Sequence, residues 1–354
     1  PHLYLGDHVE FLFAIAAIPF RFGAGPLTLV LLQCLATVGA AFALFRFARH
    51  YVSTTLASAA AVLFLLNPFT LNALTFEFHA VLFGLPFAFL AAHAYANKNL
   101  RNFWIWSGIM LLAREDLALL LAGFALLGLL EKRSRAWWLW PLLVAIGWYV
   151  GAGMLAGAIN GEGYKFLSFF QPSTVQASTL GSNIQGILQL GNVLVLVALL
   201  LSVLALPLLA WRWLVLIILP LVGLGIAGIS SGDLILQTHY ATFFLPGLFC
   251  GAIVGWSRLW TQPPHWLRRL GAHAQPLAYI TVGVVSMYSL LTFGPTISAV
   301  NAWQGVTRAD TVKARAAALD AQYNPDASVL TGYSTLVHNA DRPQVYAGHY
   351  AFLG

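Results

Sequence analysis

Long apolar runs are the feature of this 354-residue sequence that most restricts its fold. A helix that crosses a bilayer needs about 20 apolar residues, and ten stretches approach that length, although several are short. Charged residues make up only 8% of the chain, against roughly 25% in soluble domains. The sequence therefore predicts an all-α polytopic membrane protein. The ten predicted spans are residues 26–45, 53–68, 80–96, 103–113, 117–130, 138–158, 192–211, 213–230, 241–257 and 277–296.

Basic residues in the short loops predict the orientation of these spans. If the first span runs inward, eleven bases lie inside and three lie outside before residue 300. The inner bases are Arg46, Arg49, Lys98, Arg101, Lys132, Arg133, Arg135, Arg212, Arg258, Arg268 and Arg269. The bases behind the net charge of +6 therefore concentrate in the predicted inner loops, and we expect no nucleic-acid partner.

Three segments fall outside the predicted spans. Residues 8–21 are apolar but short, which predicts a helix lying at the outer interface. Residues 159–191 are rich in Gly, Ser, Gln and Asn and predict a long outer loop, placed to cover the bundle as a lid. The chain turns polar at residues 297–354, where a helical stretch and the segment ASVLTG predict the start of a small α/β domain outside the membrane. The transmembrane domain is accordingly assigned to residues 1–296.

The clearest polar anomaly is the triplet Arg114, Glu115 and Asp116 inside an apolar run. A charge at the bilayer centre costs roughly 2.5 to 3.5 kcal/mol, so three together require a cavity or partners. One long helix and two short helices meeting at the triplet are both compatible with the run. Basic clusters at both ends of the run favour two helices, with the triplet below the outer surface. Mutual pairing of the three charges in a packed junction is the alternative to a functional role.

Three further polar groups are predicted at the same outer level. Glu77 and His79 lie two apart in the loop NPFTLNALTFEFH, which places them on one side of an extended segment and Phe76 and Phe78 on the other. A carboxylate beside an imidazole suits a ligand, a general base or a hydrogen-bond pair. An interfacial loop with aromatic anchors is the competing interpretation.

The other two groups lie near the chain start and before the ninth span. Asp7, His8 and Glu10 precede the interfacial helix, whereas His239 and Tyr240 open the ninth span. A solvated chain end and an ordinary helix cap are the competing interpretations. The functional hypothesis depends on the coincidence of all four groups at one membrane level.

Such a pocket suggests an anionic lipid substrate. Arg114 and Lys165 are candidates for binding phosphate, and carboxylates are candidates for a divalent cation such as Mg²⁺ or Mn²⁺. The candidate metal ligands are Asp7, Glu77, His79 and Asp116.

The order of several motifs resembles a bacterial membrane-protein family, domain of unknown function 2079. The motifs are GDHVEF, LLQCLATVGAAFALFRFAR, NPFTLNALTFEFHAVLFGLPFAFLAAHAYA, LLAREDLALLLAGFALL and QTHYATFFLPGLF, and they cover nearly the whole chain. That family is grouped with the GT-C glycosyltransferases, which use polyprenyl-phosphate sugars on the extracytoplasmic side. The resemblance implies a GT-C-like bundle in a bacterial cytoplasmic membrane, with lipid-linked sugar and membrane lipids as partners.

The resemblance also implies roles for the polar residues. The acids Asp7, Glu10, Glu77, Glu115 and Asp116 become catalytic candidates, with Asp7 or Glu10 as the base. The substrate-binding candidates are His8, His79, Arg114, Lys165, His239 and Tyr240. The resemblance leads us to expect Lys at position 114, where this chain has Arg. The charge is kept, but the compact ammonium is replaced by a planar guanidinium that can bind phosphate through two N–H groups. GT-C enzymes usually carry a catalytic carboxylate after their first helix, and this chain starts within that loop, so the base is expected upstream of Pro1 if Asp7 and Glu10 do not serve.

Two other functions remain open at this stage. A secondary transporter would use the buried acids and His79 to carry protons or cations, but it should place charges near the midplane in two related halves. A non-catalytic scaffold for envelope assembly is supported only by the polar tail. An inverting glycosyltransferase is the hypothesis we carry forward.

Overall fold

The computed structural model describes residues 8–25, 27–161, 190–226, 232–295, 329–331 and 345–347. The chain divides into two units, Pro1–Pro295 and Thr296–Gly354. The helices of the first unit are α1 Phe13–Phe20, α2 Leu27–Ala48, α3 Thr54–Leu65, α4 Pro68–Thr75, α5 Leu85–Ala96, α6 Leu100–Ala113, α7 Ala118–Leu130, α8 Arg135–Asn160, α9 Leu190–Leu201, α10 Val215–Ile226, α11 Gly232–Gln237, α12 Leu245–Thr261, α13 His265–Arg269 and α14 Ala274–Phe293. Short 3₁₀ helices lie at Ala80–Gly84, Glu115–Leu117, Leu206–Leu214, His239–Phe243 and Gly271–His273.

Four of the described helical stretches are long and apolar enough to cross a membrane. They are Leu27–Ala48, Arg135–Ile159, Leu206–Gly225 and Gly271–Phe293. Helices α3 and α4, bent by 45° at their junction, make a fifth if they form one broken span. Each of the ten predicted spans contains a helix, but most are shorter than the thickness of a bilayer requires. The structure therefore supports a helical membrane protein and does not support ten full-length spans.

Local signals explain where several of these helices begin. The Asn67 side chain accepts a hydrogen bond of 3.1 Å from the Phe69 amide, and Pro68 occupies the first turn of α4. Asn99 caps α6 in the same way, accepting 3.0 Å from the Asn102 amide. Both caps satisfy an amide that would otherwise lack an intrahelical partner.

A row of glycines on α12 brings two parts of the core together. Gly247, Gly251 and Gly255 recur every four residues and therefore share one helix face. A Cβ atom at Gly247 would lie 2.7 Å from Leu216, and one at Gly255 would clash with the carbonyl oxygen of Leu206. Small residues at these positions allow the Leu206–Leu214 segment and α10 to pack closely against α12.

The charged triplet separates two helices, as the flanking basic clusters predict. Helix α6 ends at Ala113, Arg114 takes an extended backbone conformation with φ −166°, and Glu115–Leu117 form a 3₁₀ turn before α7. Gly84 packs so closely here that a Cβ atom would clash with the Leu117 side chain. The chain makes this turn without Gly or Pro because an extended residue and one short turn suffice.

Two other sequence predictions meet the described residues. Helix α1 confirms a helix within residues 8–21, although its described extent is only Phe13–Phe20. In the second unit, strand β1 Val329–Thr331 lies in the predicted strand segment and pairs in parallel with β2 Val345–Ala347. The predicted outer loop falls mostly at residues 162–189, and that part, like the helical stretch after residue 300, lies outside the described residues.

Candidate functional site

The turn between α6 and α7 buries two charges. Arg114 is 3% exposed and Glu115 is 1% exposed, and neither lies in a stretch that qualifies as a membrane span. Buried charges of this kind are costly unless they are paired, so their partners decide what the turn does. We call His8, Glu10, Arg114, Glu115 and Asp116 the Arg114 cluster.

Glu115 ties the start of the described chain to this turn. Its Oε1 atom lies 2.7 Å from Nδ1 of His8, and its Oε2 atom accepts 2.9 Å from the Val9 amide. A further backbone bond of 2.9 Å joins the Leu12 amide to the Leu112 carbonyl. Both carboxylate oxygens of Glu115 therefore hold the segment of residues 8–12 against the junction between α6 and α7.

Arg114 lies within 4 Å of two carboxylates and one imidazole. Its Nε atom is 2.9 Å from Oδ2 of Asp116 and 3.9 Å from Oε1 of Glu10, which is itself buried. Its Nη2 atom is 3.4 Å from Nε2 of His8. The short contact with Asp116 is an ion pair without an aligned hydrogen bond, because Arg114 Nε and Asp116 Oδ1 are both buried and lack a hydrogen-bond partner among the described residues.

The two neighbouring acids have opposite pKa shifts. Burial alone would raise the pKa of Glu115, but the hydrogen bond and charge of His8, together with Arg114, lower it to about 2. Burial raises the pKa of Asp116 to about 6, with Glu115 and Glu10 adding to the rise and Arg114 opposing it. Near neutral pH, Glu115 is a permanent anion and Asp116 is close to its titration point.

Stacked rings from two other segments form a second group. His79 and His239 are parallel, with centroids 3.6 Å apart and planes inclined by 12°. Phe76 lies 5.6 Å from His79 and 6.0 Å from His239, and Tyr240 lies 4.3 Å from His239. We call Phe76, His79, His239 and Tyr240 the ring group.

The ring group corrects one sequence prediction. Phe76 was expected on the side opposite His79, but the two rings stack, because the chain bends at Phe76, where ψ is −82°, and does not continue as a plain strand. Phe78 packs away from them against Phe13, 5.6 Å from its ring. Glu77 offers its backbone to the imidazole, since the carbonyl oxygen lies 3.3 Å from Nδ1 of His79.

Gln33 supports this segment, and the sequence interpretation missed it. Its side chain is buried in α2, donates 2.8 Å to the Leu74 carbonyl and accepts 3.0 Å from the His79 amide. A lone amide in the apolar run LLQCL was the available signal, because polar side chains inside a membrane helix normally have a partner or a function.

The 3₁₀ turn His239–Phe243 joins the ring group to the Arg114 cluster. His239 begins this turn, and the Phe243 ring near its end lies 6.0 Å from the Arg114 guanidinium carbon. Burial lowers the pKa of His79 to about 4, with the Arg114 and His8 charges contributing. Burial, His79 and Arg114 lower the pKa of His239 well below its usual range. Both imidazoles are therefore neutral at pH 7 and within electrostatic reach of Arg114.

Some predicted site residues meet and others lie elsewhere. The structure brings together His8, Glu10, Arg114, Glu115 and Asp116, and it brings His79 next to His239 and Tyr240. Asp7 and Lys165 lie outside the described residues. Buried atoms without a hydrogen-bond partner among the described residues also include His239 Nδ1 and Thr242 Oγ1. Buried polar atoms are normally paired, so unpaired ones in one region indicate a place for a ligand or water.

The predicted cation site does not fit the described residues. No group of three or more His, Cys, Asp or Glu side chains within them is spaced to hold a metal ion. Of the predicted ligands, His79 stacks on another imidazole and Asp116 contacts Arg114. A cation there stays a prediction, and the chemistry below is derived without one.

Comparison with known proteins gives one match, to the family described as "Predicted membrane protein (DUF2079)", over residues 2–351. The chain belongs to the DUF2079 family. Neither a curated protein nor a solved structure matches it. Membership of DUF2079 agrees with the apolar helices, and the site geometry must supply any argument about chemistry.

Proposed function

We propose that this DUF2079 protein is an inverting membrane glycosyltransferase that moves a sugar from a polyprenyl-phosphate donor to an acceptor outside the membrane. The observation that carries the proposal is the pairing of buried Arg114 with Asp116, each of which keeps a polar atom without a hydrogen-bond partner among the described residues. Two such groups side by side offer a cationic donor and a carboxylate acceptor to one ligand.

In this proposal, Arg114 binds the phosphate that leaves with the lipid. A guanidinium offers five N–H donors in a planar fork that matches phosphate oxygens. Its low exposure strengthens its interaction with an anion, because the surroundings have a low dielectric constant. Charge develops on the phosphate as its bond to the sugar breaks, so Arg114 stabilises the transition state more than the bound substrate.

Asp116 is the better candidate for the base. Its raised pKa of about 6 suits proton transfer near neutral pH, whereas Glu115 is held as an anion by His8 and the Val9 amide. The acceptor oxygen forms a bond to the anomeric carbon while the carbon–oxygen bond to phosphate breaks. The acceptor proton moves to Asp116, and the bonding electron pair leaves with the lipid phosphate. Glu10, near Arg114 and equally buried, is the alternative base that the sequence suggested.

The ring group supplies the wall for the sugar. Neutral imidazoles each offer one donor and one acceptor, which suits sugar hydroxyls. His239 Nδ1 in this wall is buried and lacks a hydrogen-bond partner among the described residues, as does Oγ1 of Thr242 on the same 3₁₀ turn. His79, His239 and Tyr240 would therefore bind the donor sugar while Arg114 binds its phosphate.

The proposal includes a membrane arrangement. The positive-inside pattern supports an extracytoplasmic position for the Arg114 cluster in a bacterial cytoplasmic membrane, where a lipid-linked donor would enter from the bilayer. It also includes a GT-C-like bundle in which all ten apolar segments cross or enter the membrane, with the Thr296–Gly354 unit as an α/β domain on the outer side. Single-cysteine labelling of the loops with a membrane-impermeant reagent, in intact cells and in inverted vesicles, tests this topology, and labelling of the exposed Ser134→Cys position only in intact cells would reject it.

The test of the chemistry is a matched pair of amide substitutions. Asp116→Asn removes the proposed base, and it should lower sugar transfer from a polyprenyl-phosphate donor in proteoliposomes by about 100-fold or more. Glu131→Gln makes the same chemical change in an ionic cluster at the other end of α7 and should leave transfer per folded molecule unchanged. Full activity of the folded Asp116→Asn variant would reject the assignment of the base.

A further inference from the structure

A wide groove lies between the Leu204–Leu209 segment, the end of α12 and the start of α14. None of its lining residues belongs to the Arg114 cluster. Its volume is about 1090 Å³, which is larger than the roughly 300 to 1,000 Å³ typical of small-molecule sites. Leu and Ala side chains provide most of the lining. A neighbouring apolar cavity of about 650 Å³ shares lining residues with it, including Leu204, Leu206 and Trp256. The two together suit a long apolar ligand.

The wall of the groove contains a strained backbone. Leu204 and Ala205 are consecutive non-glycine residues with φ of 57° and 52°, and both line the groove. Residues held in this left-handed region cost energy and persist only where the surrounding structure fixes them. Here the close approach that Gly255 permits between Leu206 and α12 fixes the segment. The packing of the fold therefore fixes the shape of this wall of the groove.

Arg258 lies in the lining of the groove, and Arg268 directly follows the lining residue Leu267 on α13. Arg258 lines the groove and donates 2.8 Å from Nη1 to the Leu209 carbonyl. Arg268, on α13, donates 2.9 Å from Nε to the Pro263 carbonyl, and Arg269 follows it. Each of these bonds uses one of five guanidinium N–H donors, so both side chains are anchored while keeping donors for a ligand.

The residues near Arg258 resemble those that proteins place at the level of lipid headgroups. Arg258 is its one charged lining residue among those described, and no acid lines it. Trp266, which is 60% exposed, and Trp256 also line the groove. Tryptophan concentrates at membrane interfaces, because its ring is apolar with one polar N–H.

We infer that this groove binds an anionic glycerophospholipid of the inner leaflet, with its acyl chains along Leu204–Leu209 and its phosphate at Arg258 and Arg268. Charge complementarity selects this occupant, since basic pockets between helices on the cytoplasmic side bind anionic headgroups. The site is separate from the proposed catalytic site, and its test does not depend on glycosyl transfer.

The experiment is native mass spectrometry of the full chain. The protein is stripped of lipid in detergent and then mixed with phosphatidylglycerol or with phosphatidylcholine. The wild-type protein should retain phosphatidylglycerol in preference. The double variant Arg258→Gln/Arg268→Gln should retain it about 25-fold less, from roughly fivefold for each basic residue near anionic lipid.

Two further variants separate the groove from general surface charge. Arg46→Gln/Arg49→Gln removes two bases on the same predicted face at the end of α2, and it should retain phosphatidylglycerol like the wild type. Ala278→Trp leaves every charge in place but fills the groove, and it should lose the lipid. Equal loss in the Arg46/Arg49 variant, undiminished retention in Ala278→Trp, or equal retention of phosphatidylcholine by the wild type would overturn the inference.

Discussion

Helix α7 has an ionic cluster at each end: the Arg114 cluster before Ala118, and a second one after Leu130. In the second, which we call the Arg133 cluster, Nε of Arg133 donates 2.9 Å to Glu131 Oε2, and Tyr95 Oη donates 2.9 Å to the same oxygen. The Arg133 guanidinium also donates 2.7 Å to the Tyr95 carbonyl and lies over the Tyr95 and Trp137 rings at 3.6 and 5.1 Å.

The two clusters differ in how fully their charges are paired. One guanidinium meets one carboxylate in the Arg133 cluster, and aligned hydrogen bonds and two aromatic faces complete it. In the Arg114 cluster one guanidinium lies within 4 Å of two carboxylates, and buried atoms of Arg114 and Asp116 lack hydrogen-bond partners among the described residues. The difference teaches that an ionic cluster between membrane helices is a functional candidate only when its pairing is incomplete.

The largest effect on stability is expected from Arg133→Gln. The pair Arg133–Glu131 is only 16% and 21% exposed, so removing the cation leaves a mostly buried anion. We expect a loss of about 2 to 4 kcal/mol, seen as a lower Tm in detergent, with sugar transfer per folded molecule unchanged. An unchanged Tm would show that the Arg133 cluster does not stabilise the fold.

A smaller effect is expected from His8→Ala, which removes one hydrogen-bond partner of the Glu115 carboxylate. Loss of a hydrogen bond to a charged group should cost about 1.5 to 3 kcal/mol and release the residue 8–12 segment. Limited proteolysis near residue 10 should then become faster than in the wild type. Equal proteolysis rates would mean that Glu115 does not hold this segment.

The Glu115 carboxyl also predicts an acid dependence. Its pKa is about 2 in the folded protein and about 4.5 when unfolded, so its stabilising effect is complete above pH 4.5 and is lost as the pH falls toward 2. The difference in Tm between wild type and Glu115→Gln should shrink over that window. A difference that stays constant from pH 6 to pH 3 would contradict the pairing.

His79 should give a smaller effect in a different window. Its folded pKa of about 4 lies below the unfolded value of 6.5, so the unfolded chain binds the proton first and stability falls as the pH drops from 6.5 to 4. His79→Asn should reduce this fall. Between pH 7 and pH 5, the Tm of the variant should drop by about 2 to 4 °C less than the Tm of the wild type. Parallel pH profiles would show that His79 is not buried as a neutral ring.

Sequence reasoning recovered part of this architecture. The apolar runs located the helices, and basic residues at both ends of the Arg114 run correctly predicted two helices meeting at the triplet. The structure joins two of the segments that the sequence predicted at one level, since Glu115 meets His8 across 107 positions of sequence. Among the described residues only four stretches, or five with the broken pair, are long enough to span a membrane, because short apolar helices and long ones give the same local signal in the sequence.

The sequence did not reveal which partners each polar side chain takes. The local sequence pattern does not distinguish Glu115 from Asp116. Both carboxylate oxygens of Glu115 have partners in His8 and Val9, whereas Oδ1 of Asp116 lacks a hydrogen-bond partner among the described residues. The roles of Gln33 and Phe243 likewise depend on long-range packing that periodicity does not encode. Those assignments required coordinates.

The most direct test of the account is a structure determined with a polyprenyl-phosphate sugar bound. We expect the phosphate to lie within hydrogen-bond distance of Arg114, the sugar to contact His79 or His239, and the Arg133 cluster to be unchanged. A donor bound with its phosphate at another site, while Arg114 stays paired only with Glu10 and Asp116, would contradict the assignment of the Arg114 cluster as the functional site.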